Sequence, residues 1–176
     1  RNGYTSNDKR ESVAEHTWRV SLMVMVLSKF LDNKICLEKA LKISIVHDLA
    51  EIITGDKPYF EHEGRPELEA AKGEKELRAM EHIKGLLPEI VGEELFFFFL
   101  EYEDGVSPEA KFVKAIDKIE AQVQHNEMSY QHWNDHDRKH ASTRLDNYCS
   151  FDSFLMKIKN LVQKESQQKI NIGRID

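Results

Sequence analysis

Residues that interrupt helices are scarce in this chain, whose 176 residues include four prolines and eight glycines. Almost every long segment repeats its apolar residues with the helical period, and no convincing pair of strands is visible. These shortages argue against a β-rich fold and predict a compact all-α helical bundle with about six or seven helices. The length suits a single domain over residues 1–176, with a motif-bearing core over 1–124 and a helical C-terminal part over 125–176.

Cysteine and long apolar runs are scarce as well. The two cysteines, Cys36 and Cys149, lie far apart in no metal-type spacing, so we expect free thiols. The longest apolar run worth testing as a membrane span, residues 20–27, is interrupted by Ser21 and is far too short. No secretory signal is visible. We therefore expect no membrane association and a cytoplasmic location.

Positive charge is the third shortage, because 25 lysines and arginines against 31 aspartates and glutamates give a formal net charge of −6. An acidic surface argues against a general nucleic-acid-binding protein, whose affinity depends on neutralising phosphates. It does not exclude a small nucleotide held by one or two local cations. The hydrophobic content of 40% and the charged content of 32% are ordinary for a folded protein.

Two histidines and two aspartates stand out against this background: His16, the adjacent pair His47 and Asp48, and Asp117. All three segments are predicted helices, and each of these residues lies on or beside an apolar stripe. Alone, an inward histidine is usually a core residue bonded to a backbone carbonyl, and a helical aspartate is usually solvated or salt-bridged. Together, two imidazoles and two carboxylates are ligands that a divalent cation accepts, and polar groups that turn inward must be satisfied.

Motifs around these residues extend the pattern over residues 10–20, 47–51, 54–56 and 109–120. In these motifs the chain resembles the HD phosphohydrolase superfamily, and within it the 5'-deoxynucleotidase branch. The resemblance runs from residue 1 to about residue 124. A His-Asp pair alone would be a weak signal, whereas the pair with the flanking motifs is specific.

The resemblance implies a site for one divalent metal ion with four protein ligands: His16, His47, Asp48 and Asp117. It also implies that Glu51 is the catalytic acid, that Asp56 lies near the sugar and that Arg1 holds the phosphate. Lys57, beside Asp56, is a candidate second cation for the substrate, although a solvated loop lysine is an equally good interpretation. The sequence departs from the family at its start, because Asn2 follows Arg1 where the family has an aromatic residue.

These residue types suit hydrolysis of a phosphate monoester, which requires a barrier reduction of ~20 kcal/mol or more. A divalent ion would polarise the phosphoryl oxygens and lower the pKa of a bound water. Glu51 follows His47 by one helical turn, where it can give a proton to the departing 5'-oxygen or position the attacking water. The ligands suit Mn, Co, Fe, Ni or Zn, and Mg less well. We predict a metal-dependent phosphohydrolase acting on (deoxy)ribonucleoside 5'-monophosphates.

Two alternatives remain open at this point. One is an HD hydrolase of a phosphodiester or a nucleoside polyphosphate, although the sequence lacks the extra ligands that a dinuclear phosphodiesterase needs. The other is a metal- or nucleotide-binding regulatory module without catalysis. Glu51 and Asp56 argue against this second alternative, because a module that only binds has no need of an acid beside the metal.

Two further segments carry weaker signals. His132, His136 and His140 are spaced by four, but the intervening residues are polar and lack an apolar stripe, so a solvated segment is the better interpretation than a surface metal site. Four consecutive phenylalanines, residues 96–99, cover every side of a helix, so not all of them can face one core. We expect that this run supplies core and a subunit contact, and we expect a homodimer.

Overall fold

A computed structural model of the chain describes residues 3–5, 8–56 and 64–173. The α-helices of these residues are α1 (Val13–Leu27), α2 (Leu37–Val46), α3 (Glu51–Thr54), α4 (Pro66–Gly85), α5 (Glu89–Asp104), α6 (Pro108–Glu127), α7 (Asp135–His140), α8 (Asp146–Cys149) and α9 (Ser153–Ile172). Short 3-10 helices occupy Ser28–Phe30 and Tyr130–His132. Within the described ranges, seven α-helices have six residues or more, which agrees with the predicted number.

The predicted all-α class is confirmed. Over the described part of the chain, the β-type pairing consists of one isolated bridge between Tyr4 and Arg10. Within the same residues, no helix is both long enough and apolar enough to cross a membrane. Both cysteines are free thiols, with Cys36 exposed and Cys149 buried.

Helix α6 is the centre of the fold. It packs against α1, α2, α5, α8 and α9, and its apolar side chains Phe112, Val113, Ile116 and Ile119 have no exposed surface. The start of this helix is fixed by local signals, because the Ser107 hydroxyl accepts a hydrogen bond from Ala110 N and Pro108 takes the first position. Three acidic residues of this helix, Glu109, Asp117 and Glu120, are held inside the bundle.

The chain around His47 differs from the prediction of one continuous helix. Helix α2 ends at Val46, and α3 begins at Glu51. In between, Leu49 N donates to Val46 O at 2.9 Å and Glu51 N donates to Asp48 O at 3.0 Å. Such bonds between residues three apart wind the backbone more tightly than an α-helix does. The overwound turn therefore changes how His47, Asp48 and Glu51 point relative to one another.

The phenylalanine run lies on α5 and contributes mainly to the core. Phe99 is 2% exposed, and Phe96 and Phe98 pack partly buried against apolar clusters of the protein. Phe97 is 57% exposed. Only one phenylalanine of the run is thus available for a subunit contact.

The C-terminal residues continue the same bundle. Helix α9 packs against α6 and α8, and its Leu155 and Val162 join the core cluster that contains Ile116. Asp152 caps α9 by accepting hydrogen bonds from Phe154 N and Leu155 N. The division at residue 124 into a motif-bearing core and a C-terminal part stays a prediction.

Candidate metal centre

His16 enters the candidate site from the N-terminal end of α1. Ser12 and Glu15 form a capping box there, in which each side chain accepts a hydrogen bond from the other residue's backbone N–H. The helix therefore starts at a defined residue and turns His16 inward, with no exposed surface. His16 Nε2 lies 3.1 Å from Asp117 Oδ1 and 3.6 Å from Asp48 Oδ2.

His47 lies at the end of α2, and its ring has a defined orientation. Its Nδ1 atom lies 2.7 Å from the Ser44 carbonyl oxygen, which can only accept a hydrogen bond. Nδ1 must therefore carry the proton, and Nε2 of the neutral ring is a lone-pair donor. Among the described residues, that buried Nε2 has no hydrogen-bond partner, and it lies 3.3 Å from Asp48 Oδ2.

Asp117 reaches the site from α6 and uses its two oxygens differently. Oδ1 faces His16, whereas Oδ2 accepts a hydrogen bond from the Tyr102 hydroxyl at 2.9 Å and lies 2.8 Å from Lys118 Nζ. Burial alone would raise the pKa of Asp117, but Lys118, His16 and His47 hold it well below the ordinary range. Asp117 is thus ionised, and its Oδ2 atom is held by two donors, Tyr102 and Lys118.

Asp48 shows the same balance of effects. Its burial favours the neutral acid, but His47 and, more weakly, His16 lower the pKa of Asp48 to about 2, against the repulsion of Asp117. The site therefore contains two carboxylates that stay ionised at neutral pH.

These groups fit a divalent metal ion. The nearest donor atoms of His16, His47 and Asp48 lie within 4.8 Å of one another, and Asp117 adjoins them through His16. Ligand atoms about 2.0–2.2 Å from a common ion are separated by distances of this kind. Two imidazoles and two ionised carboxylates are ligands that a divalent cation accepts, and Nε2 of His47 has no hydrogen-bond partner among the described residues.

The other predicted site residues lie at the edge of this group or outside the described chain. Glu51 is the first residue of α3 and is partly buried, and Asp56 follows Gly55, which ends that helix with a positive φ of 70°. Burial lowers the pKa of Lys72 on α4, but the carboxylate of Glu76 and, more weakly, that of Glu51 raise this pKa above its ordinary value. Arg1 and Lys57 lie outside the described residues.

Sequence reasoning missed three residues that contact the predicted ligands: Tyr102, Lys118 and Glu120. Lys118 and Glu120 lie inside the third motif, and their spacing from Asp117 by one and three residues was a usable signal. Tyr102 comes from another helix, and no pattern in the sequence connects it to Asp117.

The C-terminal histidines do not form one group. His132 stacks on the Tyr4 ring at 4.2 Å between centroids, and its Nε2 atom lies 3.1 Å from Asp8 Oδ1. The rings of His136 and His140 are 4.6 Å apart on α7. The expectation of a solvated segment was wrong at Trp133 and Asp137, which are buried at 1% and 4% exposure.

Comparison with known proteins identifies the family of the chain. The family model described as HD domain matches residues 1–170. A 5'-deoxynucleotidase of Danio rerio is 37% identical over 124 residues, which cover 70% of this chain and 58% of the relative. A 5'-deoxynucleotidase of Homo sapiens is 33% identical over 145 residues, covering 82% of this chain and 64% of the relative. The chain thus spans less than two thirds of the length of these relatives.

Solved structures share the fold. The crystal structure of a predicted metal-dependent phosphohydrolase from Magnetospirillum magnetotacticum has a TM-score of 0.77 at 22% identity, covering 96% of this chain and 86% of that one. A crystal structure from Pyrococcus horikoshii has a TM-score of 0.64 at 28% identity, with 89% and 85% of the two chains covered.

Proposed function

The chain belongs to the HD domain family, and on that premise we propose that it is a metal-dependent phosphomonoesterase that hydrolyses deoxyribonucleoside 5'-monophosphates to nucleoside and phosphate. The observation that carries the proposal is the convergence of His16, His47 and Asp48 within 4.8 Å, with Asp117 beside His16. The relatives named 5'-deoxynucleotidases support the choice of substrate.

The proposed ligands of one divalent ion are His16, His47, Asp48 and Asp117. A bound ion would supply Lewis-acid polarisation of the phosphoryl group and neutralise part of its charge. We propose Mn, Co, Fe, Ni or Zn in preference to Mg, because two imidazoles suit these ions and Mg prefers an all-oxygen environment.

Glu51 is the proposed general acid. It starts α3 directly after the overwound turn that carries His47 and Asp48, so its backbone is held next to that of these two ligand residues. A water molecule attacks the phosphorus atom as the bond to the 5'-oxygen breaks. The protonated Glu51 gives its proton to that 5'-oxygen, so the nucleoside leaves as a neutral alcohol. Asp56 is proposed to contact the sugar, and Arg1 and Lys57 the phosphate, on the resemblance of their motifs alone.

A cavity of about 560 Å³ between α3 and α4 is the proposed place of the nucleoside part of the substrate. Its wall combines apolar side chains such as Ile53 and Leu68 with Lys72, which forms an ion pair with Glu76. Binding sites for small molecules typically have volumes of about 300–1,000 Å³ and mostly apolar walls. The cavity therefore has a suitable size and lining and adjoins the helix of the proposed acid.

A homodimer is also proposed, through the outer face of α1 and the turn after it. Trp18, Leu22, Met25, Val26 and Phe30 are 66%, 39%, 45%, 48% and 58% exposed there. A continuous apolar face of this kind is costly to leave in water, which favours a partner surface. The face offers more apolar surface than Phe97, the exposed member of the phenylalanine run.

The test is phosphate release from a panel of 5'-mononucleotides after chelation and separate re-addition of Mg, Mn, Co and Zn. We expect metal-dependent release from deoxynucleotides, loss of release in Asp117→Asn, and normal release in Asp146→Asn, a matched change at a surface aspartate paired with Lys159. No release from any monophosphate by protein with metal bound would overturn the proposal. Phosphodiesters and nucleoside polyphosphates would then be tested.

A further inference from the structure

A second cluster of buried acidic residues lies on the Nδ1 side of the His16 ring. Glu11 and Glu120 are 3% and 0% exposed, and the ligand-type atoms of Glu11, His16 and Glu120 lie within 4.8 Å of one another. Three such groups in one place have the composition of a metal site. The contacts of Glu120 decide between a second metal site and a supporting role.

Both oxygens of Glu120 are engaged. Glu120 Oε2 is in direct hydrogen-bond contact with His16 Nδ1, which leaves no space for an ion between the two atoms. Glu120 Oε1 forms an ion pair with Arg19 Nε at 2.8 Å, and Arg19 Nη1 lies 2.9 Å from Glu127 Oε2. The guanidinium of Arg19, which is always charged, already offsets the negative charge of Glu120.

We propose that Glu120 is a positioning residue, which holds His16 with its proton on Nδ1 and its Nε2 lone pair toward Asp48 and Asp117. The inference rests on the proposed metal site and adds that the group of Glu11, Glu120 and Arg19 is an outer shell of that site rather than a second metal centre. A carboxylate that accepts the distal N–H of a metal-binding histidine fixes the tautomer and makes the ring a stronger donor.

The two histidines of the site are therefore unequal. His47 donates the hydrogen bond of its Nδ1–H to a neutral backbone carbonyl, that of Ser44, whereas His16 donates that of its Nδ1–H to a buried carboxylate. A charged carboxylate polarises the imidazole that donates to it more strongly than a neutral carbonyl does. His16 is thus the ligand whose strength depends on a side chain that can be changed by mutation.

The experiment is a titration of chelator-treated protein with Co²⁺, followed by its visible absorption, for the wild type, Glu120→Gln and Glu127→Gln. Each substitution removes one charge with little change of shape. Glu127 is about half exposed and bonds to the same Arg19 from its outer side, so it is the matched control.

We expect one bound ion in all three proteins, an affinity for Co²⁺ that is about 10–100-fold lower in Glu120→Gln, and an unchanged affinity in Glu127→Gln. We also expect the absorption bands of bound Co²⁺ to shift in Glu120→Gln. Thermal unfolding of the metal-free proteins provides the structural control. An unchanged Co²⁺ affinity in Glu120→Gln, even with lower thermal stability, would overturn the inference.

Two more outcomes are informative. Two ions bound by the wild type, with one of them lost in Glu120→Gln, would identify a second metal centre and overturn the inference. One ion, bound more weakly in Glu120→Gln by a protein that hydrolyses no monophosphate, would support the inference and refute the nucleotidase proposal. The two proposals therefore fail separately, because metal affinity is measured without turnover.

Discussion

The hydroxyl group of Tyr102 donates a 2.9 Å hydrogen bond to Asp117 Oδ2, from a helix that the sequence does not connect to the metal motifs. Burial, together with the negative charges of Asp117 and Asp48, raises the pKa of Tyr102 well above its ordinary value. Tyr102 therefore stays a hydrogen-bond donor, and it orients the carboxylate that faces His16.

The first prediction concerns this bond. In Tyr102→Phe, Asp117 keeps Lys118 but loses a donor, so its carboxylate is less firmly oriented. We expect metal affinity to fall by about 10-fold, near the lower end of the usual range for such contacts. Titration with Co²⁺ measures this effect, with Tyr130→Phe in the Trp133 cluster as the control. An affinity equal to that of the wild type would show that Lys118 alone orients Asp117.

The second prediction separates catalysis from metal binding. Glu51→Gln removes the acidic proton but keeps the shape of the side chain, so we expect phosphate release to fall by about 10²–10⁴-fold. Metal affinity should be unchanged, because Glu51 is not one of the proposed ligands. Glu67→Gln, in the exposed first turn of α4, is the matched control. Full activity in Glu51→Gln would assign the proton transfer to another group.

The third prediction is a pH dependence of stability at Asp137. Burial favours the neutral acid, but His125 and Arg144 outweigh it and lower the pKa of Asp137 to about 2. The unfolded chain has a pKa of about 3.9 at this residue, so the stabilisation is complete above that pH and is lost as the pH falls toward 2. The destabilisation caused by Asp137→Asn should therefore be largest above pH ~4 and shrink below it.

Thermal unfolding of the wild type and Asp137→Asn between pH ~2 and ~6 measures this difference. Asp135→Asn is the control, because the Asp135 side chain is 100% exposed on the same helix. A gap between the wild type and Asp137→Asn that does not change with pH would mean that Asp137 contributes through hydrogen bonds alone.

The fourth prediction concerns the exposed face of α1. Trp18→Glu introduces a charge within the proposed subunit contact, where it would lose its hydration. We expect sedimentation velocity to show a dimer for the wild type and a monomer for Trp18→Glu. Phe97→Glu, on α5, should remain dimeric. A wild type that sediments as a monomer would refute the proposed dimer.

Much of the fold could be predicted from the chain alone, because helix signals are local. The Ser107 cap, the proline at position 108 and the stripe of Val113 and Ile116 needed no information from distant residues. The break between α2 and α3 was missed. An apolar stripe reports which residues face inward, and it does not report where the backbone changes to bonds between residues three apart.

The sequence by itself determined the types and order of the candidate ligands, His16, the pair His47 and Asp48, and Asp117, because helical periodicity turns them inward and their chemistry is that of metal ligands. Only the tertiary structure decided which groups support them. Tyr102 reaches Asp117 from α5, and His16 meets Glu120 across 104 residues of chain. Such contacts depend on where helices cross, and the crossing points are set by the packing of whole helix faces.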